Sequence, residues 1–340
     1  MVLIGSDRFS DHRPPDGHPE QPARAQVMTE VARRWVDTGG VLTQPRPATR
    51  DELMRVHTAA YVDRIADTHG QMRRLDPDTY TSAESYDLAR LAAGATVAAV
   101  EATVRDGVPA MAFVRPPGHH AETERAMGFC LFNSVAVAAA AARASGIDRV
   151  AVIDYDVHHG NGTQWMFYED ATVLYVSLHQ YPFYPGTGSV TDVGRGDGLG
   201  TTLNVPLAAG ASDADYDRAM RELVNPVVAA FAPELILLSA GFDAHSRDPL
   251  GGMRVSTEGY AAMTAHVQRL AVECCRGRLA AVTEGGYDLS ALDACLTSTL
   301  TQLCDGSPAA GEPIEGDTTR IDPVIPVVRE ALIDHWPDAF

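Results

Sequence analysis

The chain of 340 residues is 45% apolar and carries a formal charge of −18, and all 27 of its Lys and Arg positions are arginine. This acidic balance argues against direct nucleic-acid binding, and the length and even composition predict a single domain over residues 1–340. Five cysteines without a Cys-x-x-Cys pattern argue against a disulfide framework or a zinc ribbon. Without a signal segment or a membrane-spanning apolar run, the chain is expected to be cytoplasmic.

The first half of the chain contains three helix patterns. Apolar residues at 27, 31 and 35 recur at helical spacing, and Gly39-Gly40 ends that helix. Thr81 and Glu84 form a capping-box pattern in front of an alanine-rich helix that continues to about residue 105. Asn133 is the predicted N-cap of a further helix over residues 134–145.

Five short apolar runs predict buried strands, at residues 110–114, 150–153, 172–176, 234–238 and 279–282. Helical stretches separate most of these runs, among them an apolar stripe over residues 260–274. This alternation predicts an α/β fold with a mostly parallel central sheet and helices on both faces. Residues 305–319 are rich in glycine, proline and acids and predict a loop, and residues 324–336 predict a final helix.

Polar residues directly follow each predicted strand. They are Arg115-Pro116-Pro117-Gly118-His119-His120, Asp154-Tyr155-Asp156-Val157-His158, Ser177-Leu178-His179, Ser239-Ala240-Gly241-Phe242-Asp243 and Glu284-Gly285-Gly286-Tyr287. Taken singly, each motif is more often a turn, a surface pair or a packed aromatic than a functional site. Ligands bind outside the carboxyl ends of the strands of a parallel sheet, so the joint occurrence predicts one shared site.

Two of these residues have the spacing of metal ligands. Side chains alternate along extended backbone, so Asp156 and His158 are expected to point the same way. A carboxylate and a neutral imidazole are ordinary ligands of zinc. The pattern therefore predicts a metal site whose third ligand follows another strand.

Taken in this order, the motifs resemble the zinc-dependent histone deacetylase superfamily, and the match runs from His18 to Asp288. Pro117 and Asn161 resemble its class II branch. The resemblance implies the arginase-type, three-layer α/β fold. It also implies an amidohydrolase that removes acetyl or other acyl groups from lysine side chains or related amines.

The resemblance implies one zinc ion per chain, held by Asp156, His158 and Asp243. Two carboxylates and one imidazole neutralise the ion and leave a coordination position open, which is the mark of a catalytic zinc. Such an ion binds a water and the substrate carbonyl oxygen, lowers the pKa of the water and polarises the carbonyl.

The same resemblance assigns the proton transfers to the histidine pair. His120 matches the general base and His119 lies nearer the leaving amine, and which of the two protonates the amine stays open. Asp154 matches the carboxylate that orients His119. Asn161 stands where class I members carry Asp, which should leave His120 less basic. Tyr287 matches the phenol that donates a hydrogen bond to the oxyanion.

A monovalent-cation site is also implied behind the zinc, with potassium as the usual occupant in this family. Its ligands would be the backbone carbonyls of Asp154, Asp156, His158 and Leu178, together with the side chains of Asp154 and Ser177. This site follows from the resemblance and not from the composition of the chain.

The resemblance further implies a narrow tunnel for the stem of an acyl-lysine. Phe129, which follows Gly128, would form one wall, and Phe183 or Tyr184 would form the other. We favour Tyr184 because it directly precedes Pro185-Gly186. Most relatives carry Phe at this second wall, so Tyr184 would bring a hydroxyl group to the tunnel.

Two residues match the rim of that tunnel. Leu250 stands where polyamine-selective relatives carry Glu, which argues against acetylpolyamine substrates. Asp78 matches the acid that grips the substrate backbone. The expected partner is therefore an acylated lysine peptide or protein, with small acylated amines as the alternative, and the sequence is compatible with a homo-oligomer.

Two other functions are compatible with parts of the pattern. A binuclear manganese ureohydrolase on the same fold needs further Asp and His ligands, whereas the position after Phe242 offers one Asp and not an Asp-x-Asp pair. A noncatalytic acyl-lysine reader would have lost a metal ligand or Tyr287, and all of these residues are present. We therefore expect an enzyme.

Overall fold

An eight-stranded sheet runs through the centre of the protein, whose computed structural model describes residues 1–304 and 311–340. The strands, with those of a small hairpin included, are β1 (Val2–Gly5), β2 (Val41–Thr43), β3 (Arg73–Arg74), β4 (Tyr80–Thr81), β5 (Ala110–Phe113), β6 (Val150–Asp154), β7 (Val173–Gln180), β8 (Thr202–Leu207), β9 (Leu235–Ala240) and β10 (Leu279–Thr283). The large sheet is parallel throughout, and β3 and β4 form the antiparallel hairpin. The predicted parallel sheet is confirmed, and β1, β2 and β8 are additional to the five predicted strands.

Helices cover both faces of the sheet. They are α1 (Pro22–Asp37), α2 (Arg50–Leu53), α3 (Ala59–Ala66), α4 (Ser85–Asp106), α5 (Ser134–Ala144), α6 (Asn161–Phe167), α7 (Asp213–Ala219), α8 (Asn225–Phe231), α9 (Thr257–Cys275), α10 (Leu289–Cys304) and α11 (Val324–Leu332), and a π-helical turn at Met220–Val224 connects α7 to α8. In β6, Ala151 and Ile153 pack in the core formed with α1 and α7–α11, whereas Val150 and Val152 pack with α3–α5. Because both faces of the strand are buried, its sequence is continuously apolar and does not alternate.

The order of the strands brings the polar motifs together. The sheet order is β2-β1-β5-β10-β9-β6-β7-β8, so β5, β10, β9 and β6 are four consecutive neighbours. Since these strands are parallel, the segments that follow them begin at the same edge of the sheet. The histidine pair, Tyr287, Asp243 and the Asp156–His158 segment therefore meet there, although they are spread along the chain.

Strand β7 is longer than the sequence pattern predicts. It continues to Gln180 because β8 pairs with it from Tyr175 onwards, so the backbone stays extended where the apolar run ends. Ser177 and Leu178 therefore lie within the strand and not beyond it, which corrects the predicted boundary.

The capping box predicted at Thr81 and Glu84 is wrong. Thr81 lies in β4, where its hydroxyl donates to the Gln71 carbonyl at 3.1 Å and accepts the Arg73 N–H at 3.1 Å. The threonine therefore closes the hairpin, and α4 begins without a side-chain cap from Glu84.

The other helix predictions differ from the structure mainly in their ends. Asn133 caps α5 as predicted, since its Oδ1 accepts the Ala136 N–H at 3.0 Å. The final helix ends at Leu332, before residue 336. Of the predicted loop at 305–319, residues 305–310 lie outside the described residues, and residues 311–319 form no helix or strand.

His57 anchors the loop that connects β5 to α5 and carries the histidine pair. Its Nε2 accepts the N–H of Asn133 at 3.0 Å, so Nδ1 must carry the hydrogen that it directs at the Glu122 carbonyl, 3.1 Å away. Burial lowers the pKa of His57 from 6.5 to about 4. Protonation of Nε2 would also remove the lone pair that accepts the Asn133 N–H.

We therefore expect His57 to make the fold sensitive to acid. Because the pKa of folded His57 lies below its ordinary value, the unfolded chain binds the proton first as the pH falls. The free energy of unfolding should decline between pH 6.5 and about 4 and stay unaffected by this group above pH 6.5. Chemical denaturation should show that His57→Phe reduces the loss of stability between pH 7.5 and 5.5 by about 1.4 kcal/mol.

His69 supplies a matched control for that measurement, since its side chain is 56% exposed. His69→Phe should retain the pH dependence of the wild type. If His57→Phe loses as much stability on acidification as the wild type does, the buried imidazole of His57 does not cause the acid sensitivity.

Candidate active site

Three buried side chains converge at the carboxyl edge of the sheet. Asp156 and His158 follow β6, Asp243 follows β9, and one ligand atom from each lies within 4.8 Å of the others. His158 Nδ1 is 3.1 Å from Asp156 Oδ1 and 3.1 Å from Asp243 Oδ2. Within residues 1–304 and 311–340, no other cluster of three His, Cys, Asp or Glu donors is this close.

Backbone N–H groups orient both carboxylates. Asp156 Oδ2 accepts the N–H of Gly285 at 2.9 Å, and Asp243 Oδ1 accepts the N–H of Val157 at 2.9 Å. Burial, together with the nearby Asp156 charge, raises the pKa of Asp243 to about 7. Burial alone would lower the pKa of His158, but the two carboxylates raise it to about 10. This crowding of buried negative charge suits a cation.

His119 belongs to a network of buried hydrogen bonds. Its Nδ1 lies 3.0 Å from Asp154 Oδ2, which also accepts the hydroxyl of Tyr175 at 3.2 Å, and its Nε2 lies 3.8 Å from Asp156 Oδ1. Burial would lower the pKa of His119, yet the Asp156 and Asp154 carboxylates raise it to about 10. These contacts favour the imidazolium form.

The surroundings of His120 favour its neutral form, unlike those of His119. Its Nδ1 lies 2.8 Å from Asn161 Oδ1, while Asn161 Nδ2 donates to Glu122 Oε1 at 2.8 Å. The Glu122 carboxylate accepts only, so it fixes the orientation of the amide, and Nδ1 of His120 carries the hydrogen. Burial and the neighbouring His119 and His158 hold the pKa of His120 well below 6.5. Its Nε2 is thus a free acceptor, as a general base requires.

Tyr287 is buried beside the three converging side chains. Its ring lies edge-on to Phe129 with centroids 5.8 Å apart, and the Arg24 guanidinium lies 4.9 Å from its centroid. Burial raises the pKa of Tyr287 well above its ordinary value, although the Arg24 charge opposes this. The phenol therefore remains a hydrogen-bond donor at neutral pH.

Aromatic side chains surround the histidines. Phe183 stacks on His158 with centroids 5.4 Å apart and an interplanar angle of 15°. Tyr184 lies edge-on to His120 at 5.2 Å and to His158 at 6.0 Å. The structure therefore brings both candidates for the second wall against His158, and Tyr184 also contacts His120.

Gly128 permits the close approach of its own backbone to the His120 ring. A Cβ at Gly128 would lie 2.3 Å from Cδ2 of His120, and the residue has a φ of +56°. Glycine alone tolerates both conditions without strain. Phe129 follows with a φ of +69° and packs edge-on against His18 at 4.7 Å.

The two predicted rim residues are half-buried. Asp78 accepts the Thr79 hydroxyl at 3.0 Å, and that hydroxyl accepts the Phe129 N–H at 3.1 Å, so the segment between β3 and β4 is tied to the backbone of Phe129. Burial and Asp76 raise the pKa of Asp78 to about 6. Leu250 is held through its backbone N–H, which donates to Asp248 Oδ1 at 2.9 Å.

The residues implied for a monovalent cation lie on adjacent strands. Asp154 in β6 is in register with Ser177 in β7. Asp156 and His158 come shortly after Asp154, and Leu178 directly follows Ser177 in β7. The Ser177 hydroxyl lies 2.9 Å from Nδ1 of His179. The register places two side chains with oxygen donors on neighbouring strands.

Sequence reasoning missed several residues that hold the site together. Glu284 Oε2 accepts the N–H groups of Gly118 and His119 at 2.6 and 3.2 Å, and so fixes the backbone before the histidine pair. Glu122 orients the amide next to His120, as described above. Apart from the place of Glu284 in the Glu-Gly-Gly-Tyr motif, no local pattern marks these contacts, because they join residues that are distant in sequence.

Comparison with known proteins identifies the class to which this fold and site belong. Residues 18–303 match the sequence model of the histone deacetylase domain. The crystal structure of the HDA15 HD domain superposes with a TM-score of 0.90 at 34% identity, and covers 100% of this chain and 98% of that one. The fold is therefore the α/β fold of the arginase and deacetylase type.

Curated relatives agree with this assignment. Histone deacetylase 15 of Arabidopsis thaliana is 40% identical over 335 residues, which cover 94% of this chain and 59% of the relative's length. The histone deacetylase-like amidohydrolase of Pseudomonas aeruginosa is 38% identical over 309 residues, which cover 88% and 80%. The chain belongs to the histone deacetylase family.

Among the described residues, no helix has the length and apolar character needed to cross a bilayer.

Proposed function

We propose that this chain is a zinc-dependent deacylase that hydrolyses the amide bond of acylated lysine side chains or related amines. The observation that carries the proposal is the convergence of Asp156, His158 and Asp243 within 4.8 Å of one another. Family membership supports a deacetylase, and the three donors support the dependence on zinc.

The donor set is suited to zinc for two reasons. Imidazole nitrogen and carboxylate oxygen are ordinary zinc ligands, and two carboxylates balance a double positive charge. Burial and the Asp156 charge raise the pKa of Asp243 to about 7, and a bound cation would offset this crowded negative charge. When bound, zinc would supply Lewis-acid polarisation of the substrate carbonyl and a more acidic water.

Three side chains would carry out the remaining chemistry. His120, neutral and with Nε2 free, takes a proton from the attacking water and later returns it to the leaving amine. His119, hydrogen-bonded to Asp154, would stabilise negative charge in the transition state. Tyr287 donates its phenolic hydrogen to the oxyanion.

The tunnel walls and the rim would select the substrate. Phe129 and Tyr184 would enclose the methylene stem of the acyl-lysine, with Phe183 behind them against His158. Leu250 would form an apolar part of the rim, and Asp78 would accept hydrogen bonds from the substrate backbone. An acylated lysine peptide suits this combination of an apolar slot and a polar mouth.

Acylated polyamines are a second candidate because the mouth is acidic on one side. The carboxylates of Asp76 and Asp78 lie together there, and the Asp78 N–H donates to Asp76 Oδ1 at 3.0 Å. Such a pair would favour a cationic amine tail, although Arg125 lies 3.4 Å from Asp76 and offsets part of its charge, and the apolar Leu250 would not favour such a tail. Measured substrate preference decides between the two candidates.

We extend the proposal to a potassium ion behind the zinc site. The register of Asp154 with Ser177 across β6 and β7 supports it, because hard oxygen donors then lie on neighbouring strands. If the ion is bound, activity should depend on the potassium concentration of a sodium-free buffer.

Turnover of a substrate panel tests the proposal. The panel contains acetyl-lysine peptides, longer acyl-lysine peptides, trifluoroacetyl-lysine and acetylated polyamines, with the zinc content of each enzyme sample measured in parallel. We expect hydrolysis of acyl-lysine peptides that stops on chelation and returns with zinc. A protein that binds one zinc ion per chain and hydrolyses none of these compounds would refute the proposal.

A further inference from the structure

Asp248 is a buried carboxylate in the loop after β9 that connects two parts of the site. It is 7% exposed, and its Oδ2 accepts the N–H of Tyr287 at 2.6 Å and that of Asp288 at 3.2 Å. Its Oδ1 accepts the N–H of Leu250 at 2.9 Å. One side chain therefore holds the backbone of both the candidate oxyanion donor and a rim residue.

The segment before Tyr287 needs such an anchor. Gly285 and Gly286 have no side chains that could pack, and Gly286 has a φ of +120° that other residues rarely adopt. Arg24 holds the backbone carbonyl groups of this segment, because its guanidinium donates to the carbonyl oxygen of Glu284 at 2.5 Å and to that of Gly286 at 2.7 Å. Among the backbone N–H groups, that of Gly285 donates to Asp156, whereas those of Tyr287 and Asp288 donate to Asp248.

The contact with Tyr287 is not part of a local turn. The bond from Leu250 to Asp248 joins residues two positions apart, which is a common Asx-turn pattern. The bond from Tyr287 joins residues 39 positions apart and connects the β9 loop to the β10 loop. An aspartate that only stabilised its own turn would need one carboxylate oxygen and not both.

We propose that Asp248 is a positioning residue that sets the location of the Tyr287 phenol through the Tyr287 backbone, an inference that rests on the proposed function. The same carboxylate fixes Leu250, so the rim and the oxyanion donor share one anchor. Displacement of that anchor should lower kcat more than it changes KM, because the phenol acts in the transition state.

The test uses Asp248→Asn, which keeps the size of the side chain but replaces one acceptor oxygen with an NH2 group that must face an N–H. We expect kcat for an acyl-lysine peptide to fall by about 10- to 100-fold, since small misplacements of catalytic groups have effects of this size. KM should stay within about threefold of the wild type, and the zinc content should be unchanged. In a Tyr287→Phe background, Asp248→Asn should lower kcat by less than about twofold, because no phenol is left to misplace.

Asp215 offers a matched control because it holds none of the candidate site residues. It is also a buried aspartate that accepts three backbone N–H groups, those of Ser212, Arg320 and Ile321, at 2.8 to 3.1 Å. Asp215→Asn should lower the melting temperature as Asp248→Asn does but leave kcat unchanged. This control separates a general loss of stability from the positioning effect.

Three outcomes would overturn the inference. They are wild-type kcat in zinc-loaded Asp248→Asn, an undiminished effect of Asp248→Asn in the Tyr287→Phe background, and an equal loss of kcat in Asp215→Asn. Inactivity of the zinc-loaded wild type towards the whole substrate panel would instead refute the proposed function, and this inference with it. Because the wild type is measured first, the two failures are distinguishable.

Discussion

Replacement of Tyr287 by phenylalanine should lower kcat by about 10²–10³-fold, equivalent to about 2.7–4 kcal/mol of transition-state stabilisation. The substitution removes one hydroxyl group and leaves the ring against Phe129 and below the Arg24 guanidinium. The three candidate metal ligands are untouched, so the zinc content should stay at the wild-type value. Steady-state kinetics on an acyl-lysine peptide, with metal analysis of the same sample, provides the measurement.

Tyr61→Phe is the matched control for this variant. Tyr61 is also buried, and its hydroxyl donates to the Leu131 carbonyl away from the converging side chains. That variant should lose some stability and keep its kcat. A Tyr287→Phe enzyme with wild-type turnover would show that the phenol has no part in the reaction.

Replacement of His120 by alanine should lower kcat by about 10²–10⁴-fold, the usual contribution of a positioned acid or base. His120 faces Asn161 through Nδ1, and this leaves Nε2 as the one ring nitrogen able to take a proton. The imidazole is not one of the three close donors, so the variant should retain zinc.

His158→Ala is the comparison that separates a base from a ligand. We expect it to lose both activity and zinc, whereas His120→Ala should lose activity alone. If zinc disappears from His120→Ala as well, the assignment of base and ligand is wrong. Activity close to that of the wild type in His120→Ala would mean that another group, such as His119, accepts the proton.

The strands and the parallel sheet could be predicted because buried parallel strands are continuously apolar. The spacing of Asp156 and His158 likewise predicted that they act together, since alternate residues of extended backbone share a face. The role of Asp243 required the resemblance to a known family, because a single Asp after a strand is no more than a turn signal.

The order of the strands was beyond the reach of the sequence. No residue pattern indicates that β10 and β9 lie between β5 and β6, although this order brings the four segments together. The end of β7 was misjudged for a related reason, since pairing with β8 and not apolarity decides how far the strand extends. Thr81 was misread because a hydroxyl can close a hairpin as readily as it caps a helix.

The contacts that hold the candidate catalytic groups were also not predictable. Glu284 and Gly118 are 166 positions apart, and a hydrogen bond across that distance leaves no local pattern. The same holds for Asp248 and Tyr287. A sequence therefore indicates candidate catalytic residues more readily than the residues that position them.

Metal analysis of the purified protein most directly tests whether Asp156, His158 and Asp243 bind one zinc ion. We expect one zinc ion per chain in the wild type, and almost none in Asp156→Ala or Asp243→Ala, while Asp213→Ala at the start of α7 should keep its zinc. Zinc retained in full by Asp156→Ala and Asp243→Ala would contradict the assigned ligands. Two metal ions per chain in the wild type would instead indicate the binuclear chemistry of a ureohydrolase.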